Sequence, residues 1–271
     1  MRILHILDHS IPLHSGYTFR TRAILNQQRA MGWETCHLTG PKQGKVDSLR
    51  EEVDGLTFYR TALQTGWLST FPPTAPFMMV PQLSKRIAQV IEEVQPDILH
   101  AHSPSLNGLA AVKVARQFGL PLVYEVRAFW EDAAVDHGTS KEWGLRYRLT
   151  RASETMVLRK ADAVTTICEG LRREMVEVRK IPEEKITVIP NAVDIDKFHT
   201  NGTPDPELAQ SLGLNGKVVL GFLGSFYAYE GLALLVDALP AMLQKEPNVA
   251  LLLVGGGPQE EKLKRQVTAL G

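Results

Sequence analysis

Residues 97–126 read DILHAHSPSLNGLAAVKVARQFGLPLVYEV, and this stretch decides the architecture. The short apolar run Ile98–His102 predicts a buried strand, Leu106–Phe118 a helix, and Leu122–Val126 a second strand. Strand, helix and strand of these lengths make a right-handed crossover between parallel strands. The same beat continues downstream, with a basic helix over Glu142–Lys160, a strand at Ala163–Ile167, a helix at Glu169–Val178 and a strand at Ile186–Ile189, ended by Pro190-Asn191. Upstream it gives a strand at Arg2–Asp8, a helix from about Tyr17 to Met31 closed by Gly32, and a strand at Glu34–Thr39. A weaker strand at Leu56–Tyr59 and a helix at Ser84–Val94 follow.

Two stretches break the beat. Leu63–Pro81 carries Pro72, Pro73, Pro76 and Pro81 among Trp67, Phe71, Phe77, Met78 and Met79, and reads as an apolar, proline-broken loop longer than most connections. Asp194–Gly216 is polar and turn-rich and reads as a linker. A second block then runs strand Lys217–Leu223, helix Glu230–Leu243, strand Val249–Val254 and helix Gln259–Leu270. The expected fold class is α/β with parallel sheets, in a first domain over 1–193, a linker over 194–216 and a second domain over 217–271. Two strands and two helices are half of an open α/β sheet, so the second domain is expected to be truncated.

The 271 residues suffice for one large domain or two ordinary ones. With 44% hydrophobic and 22% charged residues, the chain can bury a sizeable core. Lys+Arg and Asp+Glu are both 30, which argues against bulk nucleic-acid binding. Two distant cysteines, Cys36 and Cys168, outline neither a disulfide framework nor a zinc cluster. The N-terminus does not read as a signal peptide and no run of about 18 apolar residues occurs. The expectation is a cytoplasmic protein, or one resting on the inner face of the plasma membrane. Leu63–Pro81 would there touch lipid or a polyprenyl acceptor, and Arg146, Arg148, Arg151, Arg159 and Lys160 would meet anionic headgroups. The plainer alternative is a capping loop and a solvated helix face.

Each candidate site lies at the carboxyl end of an expected strand, where open parallel sheets bind ligands. Ser15-Gly16 precedes a helix whose free N–H groups suit a phosphate, or forms an ordinary tight turn. His100 and His102 share a strand face, either as a metal pair or, with no third ligand evident, as a structural pair that bonds a ligand or a loop. Glu125 and Arg127 also share a face, and read either as a buried salt bridge or as a site where Arg127 meets phosphate or sugar while Glu125 orients it. Gly221–Ser225 with Glu230, and Gly255-Gly256-Gly257-Pro258, are glycine loops leading into helices. Asp194 and Asp196 have the spacing of an acidic metal pair but sit among turn residues. There is no G-x-S-x-G elbow, no P-loop, and no G-x-G-x-x-G after the first strand, which argues against NAD.

In this order the stretches Arg2–Asp8 with Ser15-Gly16, DILHAH (97–102), ADAVTTICEGLRRE (161–174), ITVIPNAVDIDKF (186–198), 218–239 and VALLLVGGGPQEEK (249–262) resemble glycosyltransferase family 4. The resemblance implies a GT-B fold, two Rossmann-like domains facing a cleft, with the acceptor on the N-terminal domain and a nucleotide-sugar donor on the C-terminal one. It implies retaining sugar transfer to a saccharide or polyprenyl-linked acceptor, without metal or cofactor. His102, Glu125 and Arg127 would be catalytic, His100 and Trp130 would lie on the acceptor side, and Ser15, Gly16, Gly224, Ser225, Glu230, Gly255 and Gly256 would bind the donor. YEVRAFWED (124–132) and GSFYAYEGL (224–232) resemble a subgroup of exopolysaccharide loci in exosortase-containing bacteria.

Two departures stand out. Ser225 and Glu230 occupy the positions of an Arg and a Lys that hold the diphosphate in many members, which leaves the charge to Arg127, Arg20 or helix N-termini. The family's E-x7-E pair would fall beyond Gly271, so the chain as given is expected to be inactive alone. A nucleotide-sugar epimerase of the same fold and a truncated binding module remain as alternatives.

Overall fold

The computed structural model describes residues 1–62, 78–196, 198 and 202–270. The chain divides into two compact units, Met1–Ala192 and Val193–Gly271. The expected loop over Leu63–Pro81 lies outside the described residues as far as residue 77.

The first unit is built on an eight-stranded sheet. Its strands are β1 (Arg2–Leu7), β2 (Glu34–Thr39), β3 (Arg50–Val53), β4 (Leu56–Arg60), β5 (Ile98–His102), β6 (Leu122–Val126), β7 (Ala163–Thr166) and β8 (Ile186–Val188), in the order β3-β4-β2-β1-β5-β6-β7-β8. All neighbours are parallel except the β3–β4 hairpin. That hairpin turns at Asp54-Gly55, both with positive φ, the two-residue turn that Asp-Gly favours. The helices are α1 (Gly16–Ala30), α2 (Met79–Val94), α3 (Ser105–Phe118), α4 (Trp130–Asp136), α5 (Leu145–Lys160) and α6 (Glu169–Glu177). Pro81 sits in the first turn of α2, where its missing N–H costs no helical hydrogen bond.

The two faces of this sheet differ in chemistry. Strand alternation sends Leu4, Ile6, Leu99, Ala101, Leu122, Tyr124, Val126 and Val164 to one side, where they form the main core with α2, α3 and α5. There α3 passes close to α5: a Cβ on Gly108 would lie 2.5 Å from Val157 Cγ1 and 2.9 Å from Tyr124 Cε2. The opposite face carries His5, His37, His100, His102 and Glu125. Register aligns His5 with both His37 and His100, and His102 with Glu125. α1 covers this polar face, with a smaller apolar cluster of Leu7, Ile11, Leu25, Leu56 and Phe58.

The second unit has a parallel pair, β9 (Val218–Ser225) and β10 (Val249–Gly256), with α8 (Leu232–Lys245) and α9 (Glu260–Leu270) packed through Phe226, Leu232, Val236 and Leu263. Its sheet is separate from that of the first unit. A short helix, α7 (Pro206–Ser211), lies within the segment read as a linker; Asp205 caps it by accepting from the N–H groups of Glu207 and Leu208.

Candidate functional site

The polar face becomes a site because three strands end on it together. Glu125, near the end of β6, is buried. Its Oε1 accepts from Arg127 Nε at 2.8 Å and from Arg20 Nε at 2.9 Å. Its Oε2 faces His100 Nε2 at 3.4 Å and His102 Nδ1 at 3.5 Å. Burial alone would raise its pKa, but His102, His100 and Arg127 outweigh burial and hold the carboxyl well below the usual carboxylate range.

Arg127 is bonded on every side. Besides Glu125 it donates to the Tyr17 carbonyl at 2.8 Å, to Thr21 Oγ1 at 3.0 Å and to His102 Nδ1 at 2.7 Å, and its guanidinium carbon lies 4.1 Å from the Tyr17 ring centre. His102 Nδ1 therefore accepts, so its proton sits on Nε2, which points at His5 Nδ1, 3.0 Å away. His5 in turn places its proton on Nε2, toward Gln28 Oε1 at 2.8 Å. Arg127, His102, His5 and Gln28 thus form a one-way row of donors and acceptors. Burial, with neighbouring imidazoles adding to it, lowers the pKa of both His5 and His102 well below the ordinary histidine range, so both rings are neutral.

His100 stacks on His102 with ring centres 4.3 Å apart, and its Nε2 is buried without a hydrogen-bond partner among the described residues. Donor atoms of His5, His100 and His102 come within 4.8 Å of one another, a geometry that could hold a metal ion. The hydrogen bonding points elsewhere: both nitrogens of His5 and of His102 already have partners, and a metal would break the row.

A second polar group adjoins the first at the end of β1. Ser15 caps α1, its Oγ accepting from Thr18 N–H at 3.1 Å, and pairs with His9 Nε2 at 2.8 Å. His9 contacts Asp8 and stacks on Tyr17. Asp8 meets Lys42 Nζ at 3.2 Å, and Lys42 lies 5.7 Å from the Trp130 ring centre. Nothing lies within 4 Å of where a Cβ on Gly16 would stand, so the backbone at the start of α1 faces open space.

Arg20 is bonded within the first unit. Its donors go to Glu125, to the carbonyls of Ile189 and Pro190 and to Asn191 Oδ1, fastening the end of β8 to α1. Asp194 accepts from Asp196 N–H at 3.2 Å, a local turn.

In the second unit, Gly224 and Ser225 end β9 and Glu230 lies in the β9–α8 connection, and all three are exposed. Gly255 and Gly256 end β10. A Cβ on Gly255 would sit 1.9 Å from the Gly224 carbonyl oxygen, so this glycine is required where the ends of β9 and β10 touch. The structure therefore joins Ser15, Gly16, His100, His102, Glu125, Arg127 and Trp130 within the first unit, and places the glycine-loop residues in the second. His5, Tyr17, Gln28 and Lys42 complete the first group and were not singled out from sequence. The even spacing of His5 from Ile3 and Leu7 puts it on the face opposite Leu4 and Ile6, which is the one signal the sequence held.

Comparison with known proteins gives the family and the fold. Residues 15–192 match the glycosyl transferase 4-like domain, and residues 217–271 match glycosyl transferases group 1. The GDP-mannose-dependent alpha-(1-6)-phosphatidylinositol monomannoside mannosyltransferase of Mycolicibacterium smegmatis is 29% identical over 142 residues, which cover 51% of this chain and 36% of that protein. The D-inositol 3-phosphate glycosyltransferase of Nocardiopsis dassonvillei is 30% identical over 178 residues, 62% of this chain and 40% of that one. The chain thus spans about two fifths of the length of these relatives. Among solved structures, sucrose-phosphate synthase from Thermosynechococcus elongatus superposes with a TM-score of 0.72 at 20% identity, covering 99% of this chain and 66% of that one. Anabaena HepE in complex with UDP and glucose gives a TM-score of 0.70 at 19% identity, covering 100% of this chain and 66% of that one. The fold is that of a partial GT-B protein. The match of the family model to residues 15–192, well over half the chain, establishes that this protein belongs to the glycosyl transferase 4-like family.

Proposed function

We propose that the complete protein is a retaining glycosyltransferase that moves a sugar from a nucleoside-diphosphate donor to a saccharide or lipid-linked acceptor, in exopolysaccharide synthesis. The observation that carries the reading is the buried Glu125–Arg127–His102 group beside the open N-terminus of α1. Departure of a diphosphate leaves negative charge, and groups already oriented for it need not reorganise when it forms. The backbone N–H at Gly16 supplies a donor, while Arg127, locked by four partners, acts as a positioning residue that sets the field and holds His102 in one tautomer. His100, His102 and Trp130 would face the acceptor or the transferred sugar, and the glycine loops at Gly224 and Gly255 would accept the nucleotide. The likeness to a UDP-bound solved structure supports a nucleotide donor.

Isothermal titration of the protein, in its full encoded length, with UDP, GDP, ADP and TDP tests the donor assignment. Saturable binding of one of them is expected. Absence of binding to all four at millimolar concentration would refute it.

A further inference from the structure

The outer surface of α5 is built unlike that of an ordinary solvated helix. Tyr147, Glu154, Val157 and Leu158 face inward and are buried. On the opposite side Leu145, Leu149, Ala152 and Met156 follow one another at i, i+4, i+7 and i+11, which stacks them into a single stripe. The three large members are exposed, at 67%, 37% and 40%, and Trp143, just before the helix, is 54% exposed. A packed core would have absorbed such a stripe; here it points away from the core.

Cations flank it on both sides. Arg148, Arg151, Arg159 and Lys160 line a groove of about 520 Å³ over Ala152 and Met156. Past Met156 and Lys160 the groove continues for about 290 Å³ between α5 and α3, where Lys113 and Arg116 are added. No carboxylate lines either part. The one acidic residue of α5, Glu154, is on the buried side. Arg151 approaches Glu174 at 3.5 Å, and the other five cations form no ion pair among the described residues. Since the chain as a whole carries no net charge, this concentration is local.

From the exposed apolar stripe, the aromatic at its head and the acid-free cationic borders, we infer that the α5 face, with the adjoining end of α3, docks on an anionic phospholipid bilayer. Apolar side chains enter the headgroup–acyl boundary while arginine and lysine meet lipid phosphates. A soluble polyanion would use the cations and leave the stripe wet; a bilayer uses both. No helix among the described residues is long and apolar enough to cross a membrane, so contact would be lateral. The inference draws its purpose from the transfer reading, because a lipid-linked acceptor lies in a membrane. It is measured without nucleotide, so each can fail alone.

The test is co-sedimentation of the whole chain with vesicles of pure phosphatidylcholine and with vesicles half phosphatidylglycerol. Preferential pelleting with the anionic vesicles is expected. The triple variant Lys113→Gln, Arg116→Gln, Lys160→Gln should lose affinity for them on the order of 100-fold. Leu149→Ser with Met156→Ser should release the protein at salt concentrations the parent withstands. All five positions are at the surface, and circular dichroism confirms the fold of each variant. Equal pelleting with both vesicle types, no pelleting with either, or a triple variant that binds like the parent would overturn the inference, and the second result would turn attention to an acidic protein partner.

Discussion

Glu154 offers a sharp test of the energetics of the first unit. It is fully buried on the inner side of α5, its Oε1 accepts from Tyr124 O–H at 2.7 Å, and its Oε2 has no hydrogen-bond partner among the described residues. Burial, joined by the charge of Glu131, pushes its pKa up to about 7, against the opposing pull of Tyr124 and Arg179. The folded protein therefore disfavours the ionised form that the unfolded chain adopts above about pH 4.5. Stability is full below that value, falls by about 1.4 kcal/mol per pH unit up to about 7, and is flat beyond, a total of about 3 kcal/mol. Glu154→Gln cannot ionise. Its amide N–H groups lack an acceptor, which costs about 1–2 kcal/mol at every pH. That offset cancels when the difference between variant and parent is followed with pH. The variant is expected to be less stable than the parent at pH 4.5 and to gain about 3 kcal/mol relative to it by pH 8. The assay is urea unfolding followed by tryptophan emission. Trp33, Trp67, Trp130 and Trp143 all belong to Met1–Ala192, so the signal tracks one unit instead of averaging two. Parallel stability curves for the two proteins would show that Glu154 titrates like an exposed carboxylate, and the account of its burial would fail.

Two further outcomes follow from the same packing. Gly108→Ala forces a methyl against Val157 and Tyr124, so it should cost about 1–3 kcal/mol and lower the melting temperature, whereas Gly16→Ala, with open space before it, should change stability little. Burial lowers the pKa of His37 to about 4, with the Thr57 carbonyl opposing and Arg29 and Arg60 reinforcing. Since the unfolded chain takes up that proton below about pH 6.5, stability drops as pH falls, and His37→Gln should remove about 2 kcal/mol of the loss between pH 7.5 and 5 in urea titrations.

The parallel sheet was legible because each strand–helix–strand unit announces itself locally: apolar strands of five residues alternate with helices of 14 to 16 over Ile98–Lys160. The pairing of Glu125 with Arg127 was legible for a similar reason, two residues apart at the end of one strand. The β3 strand escaped notice although Asp54-Gly55 marks its hairpin, because Arg50-Glu51-Glu52-Val53 has little apolar content. α4 also went unread. Its seven residues show no period, and what holds it is Glu131 buried against Arg179, 48 residues away. His5 could not be joined to His102 from sequence, since β1 and β5 are adjacent only after three other strands and two helices have been placed.

The row from Arg127 to Gln28 has an arithmetic of its own. Each neutral ring owns one N–H, so the row holds together when a giver stands at one end and a taker at the other. Lysine in place of Gln28 would put givers at both ends, and His102 would then need to exist with no proton at all. The ring system would have to part, reorient or find an anion, so a side chain near the last turn of α1 decides which way two imidazoles point on the sheet.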